Sequence, residues 1–379
     1  MKRTLINIAI LSTILGTGMA QAGGWDRSGQ DTSIILKEGN LLEVTSVSVK
    51  PKVTGTFTSN VSTGDGVPNY SLMNLGFRTA ISDDLSLAVI QDTPFGAEVD
   101  WTEGTRFASF SGVKAKVESS ATTALVGYNL DNITLYGGLK SQSFKASASN
   151  PWVGLKDGSG AFIGDMTGYS ISSTAADSSV GYVLGGAIEK PEIAMKVSLT
   201  YHSKVSHDVS VIEVVGGVAS AAAILSAETP ESVNLDFQTG IAENTLLFGS
   251  IRHVKWTQLR LSPVAYDVYA GAGTQHLKEF TTDTTSYNLG LGRKFSDQWS
   301  AAVTYGSDAA IGGDGGPLGP TDGYSKMGLG VTYSGVQANV TLGVQQVNMG
   351  DTTAVAPGVS AEMKNNKALV TAIKVAYKF

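Results

Sequence analysis

Apolar and polar side chains alternate with a period of two along most of this chain, the spacing of strands whose two faces meet different surroundings. Between residues 231 and 242, Val233, Leu235, Phe237 and Ile241 share one face, and Asn234, Asp236, Gln238 and Gly240 share the other. Val336, Ala338, Val340, Leu342 and Val344 alternate likewise with Gln337, Asn339, Thr341 and Gly343. Ile193, Met195, Val197, Leu199 and Tyr201 do so with Lys196, Ser198, Thr200 and His202. The pattern predicts fourteen strands, at 41–55, 70–81, 85–92, 114–130, 133–148, 169–189, 193–208, 231–242, 245–261, 282–295, 299–307, 324–333, 336–348 and 368–379. Alternation alone fits a soluble sandwich as well as a membrane barrel.

The connections separate these two folds. Six are tight turns, Ser82-Asp83-Asp84, Asp131-Asn132, Lys190-Pro191-Glu192, Glu243-Asn244, Ser296-Asp297-Gln298 and Ser334-Gly335, all rich in turn formers. The other seven are long, and the two kinds alternate strictly along the chain. A barrel with short turns on one rim and long loops on the other requires that order, whereas a sandwich does not. The expected fold is an all-β, antiparallel transmembrane β-barrel of fourteen strands over residues 41–379, with both termini on the short-turn side. Its last strand carries Leu369, Thr371, Ile373, Val375, Tyr377 and Phe379 on one face and ends on that aromatic residue. Such a terminus resembles the signal read by the barrel assembly machinery of outer membranes.

If the apolar set faces lipid, the inward set is Gly, Ser, Thr, Asn and Gln with Lys140, Lys196, Lys204, Arg252 and Lys374. Turned toward lipid, such charges would cost about 2–4 kcal/mol each at the bilayer midplane. In 245–261, His253 and Lys255 fall in phase with Leu247 and Ile251, which implies either a bulge near Ser250 to Val254 or a Lys255 at the outer rim.

Composition and charge narrow the function. The absence of Cys excludes disulfide scaffolds and thiol chemistry, and a formal charge of −6 without a basic stripe argues against nucleic-acid binding. Lys2 and Arg3, the apolar run Leu5 to Leu15 and Ala20-Gln21-Ala22 read as a signal peptide over residues 1–22. An exported, cysteine-free, glycine-rich chain points to a Gram-negative outer membrane, among lipid and lipopolysaccharide, as a monomer. His202, His207, His253 and His276 show no metal-binding spacing, and no Gly-rich segment sits in a strand–helix phosphate cradle, so neither an enzyme nor a cofactor is expected. Three long loops are unexpectedly apolar: Trp101, Phe107, Phe110 and Val113 in one, Trp152, Val153, Leu155, Phe162, Ile163 and Met166 in the second, and Val214 to Leu225 in the third. They either form a capture site for a hydrophobic ligand or pack together in small loop helices. Arg106 and Arg252 are candidate partners for a ligand carboxylate.

Several segments, in this order and among fourteen strands, resemble the FadL type of outer-membrane transporters for long-chain fatty acids and other hydrophobic molecules. Arg27-Ser28-Gly29-Gln30-Asp31-Thr32-Ser33-Ile34 through Glu38-Gly39-Asn40 is similar to the family's amino-terminal hatch. Ile90-Gln91-Asp92-Thr93-Pro94-Phe95-Gly96-Ala97-Glu98-Val99-Asp100-Trp101 resembles its kinked third strand. Thr229 to Val233 and Asn244 to Trp256 resemble the eighth and ninth strands. The usual Asn-Pro-Ala hatch motif is absent. The resemblance implies a hatch over residues 23–40, with Arg27, Asp31, Lys37, Glu38 and Asn40 in the lumen, capture by Trp101, Arg106, Phe107, Phe110, Phe162 and Arg252, and lateral exit at a gate of Asp92, Pro94, Phe95 and Gly96. Two bland readings compete: a periplasmic tail instead of a hatch, and a Pro94 that merely ends the strand. The rival function is a general aqueous porin, with the acidic loop 308–323 as its constriction.

Overall fold

The computed structural model describes residues 25–101, 111–149, 153–156, 162–166, 168–271, 276–312, 315–356 and 359–379. Fourteen antiparallel strands close into a barrel: β1 (Leu41–Lys52), β2 (Tyr70–Ala80), β3 (Leu85–Asp92, resuming as Gly96–Asp100), β4 (Lys114–Leu130), β5 (Ile133–Ser149), β6 (Asp177–Lys190), β7 (Met195–His202), β8 (Ser232–Ala242), β9 (Thr245–Val254), β10 (Thr284–Lys294), β11 (Trp299–Asp308), β12 (Tyr324–Ser334), β13 (Ala338–Met349) and β14 (Lys367–Lys378). Each pairs with its neighbours in sequence, and β1 closes on β14 from Leu41↔Lys378 to Lys52↔Lys367. Closure leaves no exposed edge, the condition for strands to stand in hydrocarbon. Short and long connections alternate around the two rims as expected.

Burial is inverted relative to a soluble sheet. Along β12, Met327, Leu329, Val331 and Tyr333 point outward at 43–67% exposure, while Lys326, Gly328, Gly330 and Thr332 are buried inside. The same outward belt runs through Leu135 and Leu139 of β5, Tyr182 and Leu184 of β6, Leu289 and Leu291 of β10 and Leu342 of β13. At the short-turn rim it ends in ring pairs, Trp299 with Tyr333 at 5.1 Å and Tyr377 with Phe379 at 6.3 Å. That is the aromatic edge of a membrane-spanning barrel.

Several boundaries differ from the sequence expectation. β7 begins at Met195, because Pro191–Ile193 form a single 3₁₀ turn and Ala194 adopts a left-handed conformation (φ 52°). β13 starts at Ala338, and Val336 stands in the turn, 99% exposed. β9 runs in unbroken register against β10 from Thr245 to Val254, so there is no bulge; Lys255 follows at the rim, its Nζ 2.5 Å from Glu231. Lys204 also lies beyond its barrel strand and pairs with Glu228 at 2.8 Å instead of facing the lumen. The third apolar loop forms a β-hairpin, Val205–Val215 against Ala223–Thr229, and not helices. Its inward residues Val209, Val211 and Leu225 pack with Phe144, Tyr169 and Ile171. Helix α1 (Val264–Gly271) stands beside it. At the long-loop rim β13, β14 and β1 resume as a four-stranded cap sheet of Thr352–Ala356, Val359–Met363, Thr54–Phe57 and Ser62–Asp65, its Thr352–Ala356 and Val359–Met363 strands in the register of the β13–β14 ladder. The loop between β11 and β12 joins this cap, with Gly315 N–H donating to Thr353 and Val355 N–H donating to Gly315, both at 2.9 Å.

Candidate functional site

The amino-terminal segment runs through the lumen before β1 begins. Gly29 and Gln30, both at positive φ (66° and 53°), turn the chain, and Ser33–Leu36 then form one 3₁₀ turn. That turn buries Ile34, Ile35 and Leu36 against Ala88, Ile90, Leu125, Tyr136, Val183 and Ala187 on the inner wall of β3–β6. The wall makes room with glycine. A Cβ on Gly127 would stand 3.0 Å from Ile35 Cγ1, and one on Gly76 would stand 2.7 Å from Ile34 Cδ1.

Polar contacts tie the segment to both sides of the lumen. Arg252 of β9 donates to Asp26 at 2.5 Å, to Gln30 Oε1 at 3.1 Å, and to Ser232 and Asn234 at 2.9 and 2.7 Å. Asn234 also donates to the Gly29 carbonyl (2.9 Å), and Lys196 to that of Leu36 (2.7 Å). On the opposite wall, the Ser28 hydroxyl donates to Asp92, and Arg78 donates to the Gly39 carbonyl. Asn40 Oδ1 accepts from Thr79 at 2.9 Å and from the Ala80 N–H at 3.1 Å. Lys37 and Lys374 share the Glu43 carboxylate at 2.6 and 2.9 Å. Arg27 stacks on the ring of Tyr70 with 3.9 Å to its centroid, Asp31 accepts from the Ser33 N–H at 2.8 Å, and Glu38 is exposed. These contacts hold residues 25–40, the segment expected to form a hatch, inside the lumen.

The wall beside this segment is interrupted. β2 and β3 pair from Ala80↔Ser86 to Leu75↔Gln91 and no further, whereas β3 stays paired with β4 on its other side, through Asp92↔Ala121 and again from Gly96↔Glu118. Between those two registers β3 has one residue more than β4 opposite it, an irregularity that Pro94 favours because it has no N–H to offer a ladder. The backbone groups that β2 leaves unmet are taken by the hatch. Arg27 N–H donates to Pro94 O at 3.0 Å, Gly96 N–H donates to Trp25 O at 2.8 Å, and Asp26 and Phe95 face each other as an antiparallel pair. Ser119 clamps the same bend from β4, donating to Phe95 O at 2.7 Å and accepting from its N–H at 3.0 Å. Phe95 itself is buried edge-on against Trp256, with centroids 5.6 Å apart.

Above the hatch, beneath the cap, lies a cleft of about 220 Å³ whose walls include Trp25, Ala97, Val99, Phe280, Leu318 and Lys278. A smaller space of about 40 Å³ adjoins it, lined by Val117, Ala146, Ala148, Leu261 and Leu277 among others. Rings continue downward from it: Phe280 lies 5.4 Å from Trp25 and 5.2 Å from Trp256, and Trp256 leads to Phe95 at the wall break. Burial in this apolar setting pushes the Lys278 ammonium below the usual lysine range.

The residues expected at the ligand and gate fare differently. Asp92, Pro94, Phe95 and Gly96 come together at the break. Trp101 is fully buried under the cap, its Nε1 donating to Pro317 O at 2.9 Å, and does not line the cleft. Arg252 is held by the hatch. Arg106, Phe107 and Phe110 lie outside the described residues, and Phe162 starts a ribbon strand, Phe162–Met166, paired with Val153–Lys156. Sequence reasoning missed Trp25, Trp256, Lys278 and Phe280. The signal was present, since Trp256, Leu259, Leu261, Leu277 and Phe280 make the β9–β10 connection as apolar as the loops that were singled out.

These features define a class, a fourteen-stranded transmembrane barrel with residues 25–40 folded into its lumen, and the barrel is the fold of the FadL-type channels. A FadL homologue of Pseudomonas aeruginosa matches with a TM-score of 0.76 at 15% identity, covering 97% of this chain and 98% of that one. The toluene transporters TodX of Pseudomonas putida and TbuX of Ralstonia pickettii match with TM-scores of 0.63 and 0.61 at 12% and 10% identity. They cover 95% and 96% of this chain, and 97% and 96% of their own. No protein-family model and no curated protein sequence matches the chain.

Proposed function

We propose that this chain is a monomeric outer-membrane channel for the passive uptake of hydrophobic molecules, of the long-chain fatty acid or aromatic hydrocarbon kind. The ligand enters the cleft beneath the cap, passes the rings of Phe280 and Trp256, and leaves sideways between β2 and β3 once Trp25–Arg27 let go of Pro94 and Gly96. One observation carries this reading: the wall break is closed by a segment from outside the barrel strands instead of by its neighbouring strand. The energetics agree. Apolar solutes gain about 0.8 kcal/mol per methylene on leaving water, so exit into hydrocarbon needs no energy source. An aqueous porin would call for an open, charged constriction. Here the lumen holds the hatch, and the β11–β12 loop is engaged with the cap.

Uptake of labelled oleate and toluene by cells expressing the chain tests this, beside swelling of proteoliposomes in small sugars. The expected result is accelerated uptake of an apolar probe with little swelling. Swelling comparable to a porin, with neither apolar probe taken up, overturns the proposal.

A further inference from the structure

The outer face of the seam between β1 and β14 ends in unbalanced charge. Every second residue from Leu42 to Lys52 points out of the barrel along β1, and every second residue from Lys367 to Tyr377 does so along β14. Leu42 lies opposite Tyr377 at the short-turn rim, Lys52 lies opposite Lys367 at the far end of the ladder, and Lys50, opposite Leu369, is diagonal to Lys367. Like charges directly opposite on neighbouring strands, with Cβ atoms about 4.5–5.5 Å apart, repel each other. None of these three exposed lysines has an ion-pair partner among the described residues. The lysines on the outer face of β4 and β5 do: Lys114, Lys116 and Lys145 pair with Asp100, Glu98 and Glu118 at 3.1, 3.5 and 3.0 Å. Two acids of the adjoining cap sheet are engaged elsewhere, Asp65 accepting the Val53 and Val67 N–H groups at 3.0 and 3.4 Å and Glu362 pairing with Lys364 at 2.8 Å.

The height of the cluster on the wall indicates what answers that charge. From Leu42 to Lys52 the strand rises about 3.3 Å per residue at a tilt of about 40°, which gives about 25 Å, the height of the apolar band of such a barrel. Lys50, Lys52 and Lys367 therefore stand at the upper edge of the band, with the exposed Leu369 beside them, where the headgroups of the outer leaflet begin. A lysine stem lies along apolar surface there while its ammonium reaches into the headgroup layer. Phosphates are the groups that relieve uncompensated ammonium ions at that height. We infer that this face is a docking site for the phosphorylated headgroup of an outer-leaflet lipid, that of lipopolysaccharide, with Lys52 and Lys367 sharing one phosphate and Lys50 approaching it from below. Asn348, beside Lys367 on β13, adds a neutral hydrogen-bond donor. The inference stands on the barrel and its setting in the outer membrane, not on the uptake reading.

The test is binding of lipid A to the full chain in neutral detergent, read by native mass spectrometry, beside lipid A stripped of its phosphates and beside inorganic phosphate. Phosphorylated lipid A is expected to bind about tenfold more tightly than the stripped form. The triple variant Lys50→Gln, Lys52→Gln, Lys367→Gln is expected to erase that preference, the corresponding arginine variant to keep it, and Lys116→Gln with Lys145→Gln to leave it unchanged. Equal binding of the two lipids, a preference that survives in the triple glutamine variant, or one lost equally through Lys116 and Lys145 overturns the assignment, as does capture of inorganic phosphate without discrimination between the lipids. A stability measurement serves where the triple variant fails to fold. Lys52→Gln alone is expected to raise the temperature at which the compact gel band is lost in neutral detergent, and to lose that advantage once lipid A is added. A parent chain that lipid A stabilises no more than it stabilises Lys52→Gln overturns the inference as well.

Discussion

Glu213 shows how one side chain organises the long-loop face. Its buried carboxylate accepts the Ala265 and Tyr266 N–H groups at 3.0 and 3.1 Å, capping the amino-terminal end of α1, and takes the Tyr169 hydroxyl at 2.8 Å. Burial and that hydrogen bond hold the Tyr169 phenol well above its usual range. Glu213→Ala strands these donors, each at a cost of about 1–3 kcal/mol to the local unit. Hydrogen exchange is expected to accelerate across 264–271 while the barrel strands keep their protection. A second residue works by absence. At Gly127 even a methyl group meets Ile35 Cγ1 at 3.0 Å and Ser86 Oγ at 2.9 Å, so Gly127→Leu cannot coexist with the seated 3₁₀ turn. Such overpacking costs about 1–3 kcal/mol. Planar-bilayer recordings of Gly127→Leu should show raised or flickering conductance; traces as quiet as those of the parent chain would mean that the turn does not block the pore.

Among the elements, the hatch and the break in β3 act as a pair. Asp26 and Phe95 form a non-hydrogen-bonded antiparallel pair, flanked by the two backbone bonds, and such pairs hold their Cα atoms about 4.5 Å apart. A disulfide fits that spacing. The double variant Asp26→Cys, Phe95→Cys is therefore expected to take up apolar probes when reduced and to lose uptake when oxidised, with the barrel folded in both states. Uptake unaffected by oxidation would argue against exit at this break. Deleting 25–38 is expected to raise ion conductance severalfold. The break itself was legible in the sequence, because Pro94 and Gly96 interrupt an alternation that is otherwise regular. What fills it was not. Nothing local in Trp25-Asp26-Arg27 announces a strand partner, since those bonds are made with residues about seventy positions away.

Viewed whole, the molecule was mostly readable before its structure, and the reason is physical. Lipid on one side and a polar lumen on the other impose a period of two on every strand, and the turns carry their own chemistry, as at Asp131 and Asn244 with φ of 53° and 57°. Loops obey no such rule, which is why the cleft around Lys278 and Phe280 went unread while the strands did not. A closed barrel should resist detergent until heated, so unheated and boiled samples are expected to migrate differently on gels. A single band position would contradict closure. The hatch has a consequence for the order of assembly. A segment made before any barrel strand depends on partners made much later: Asp26 waits for Arg252, 226 residues on, and Leu36 for Lys196, 160 residues on. Contacts of such sequence separation form late, because the intervening chain must be ordered before they reward closure. Seating of the amino terminus should thus be the final step of refolding into micelles, its exchange protection appearing only after the gel-shifted band. A segment that precedes every barrel strand would thus serve as the closing check on a finished wall.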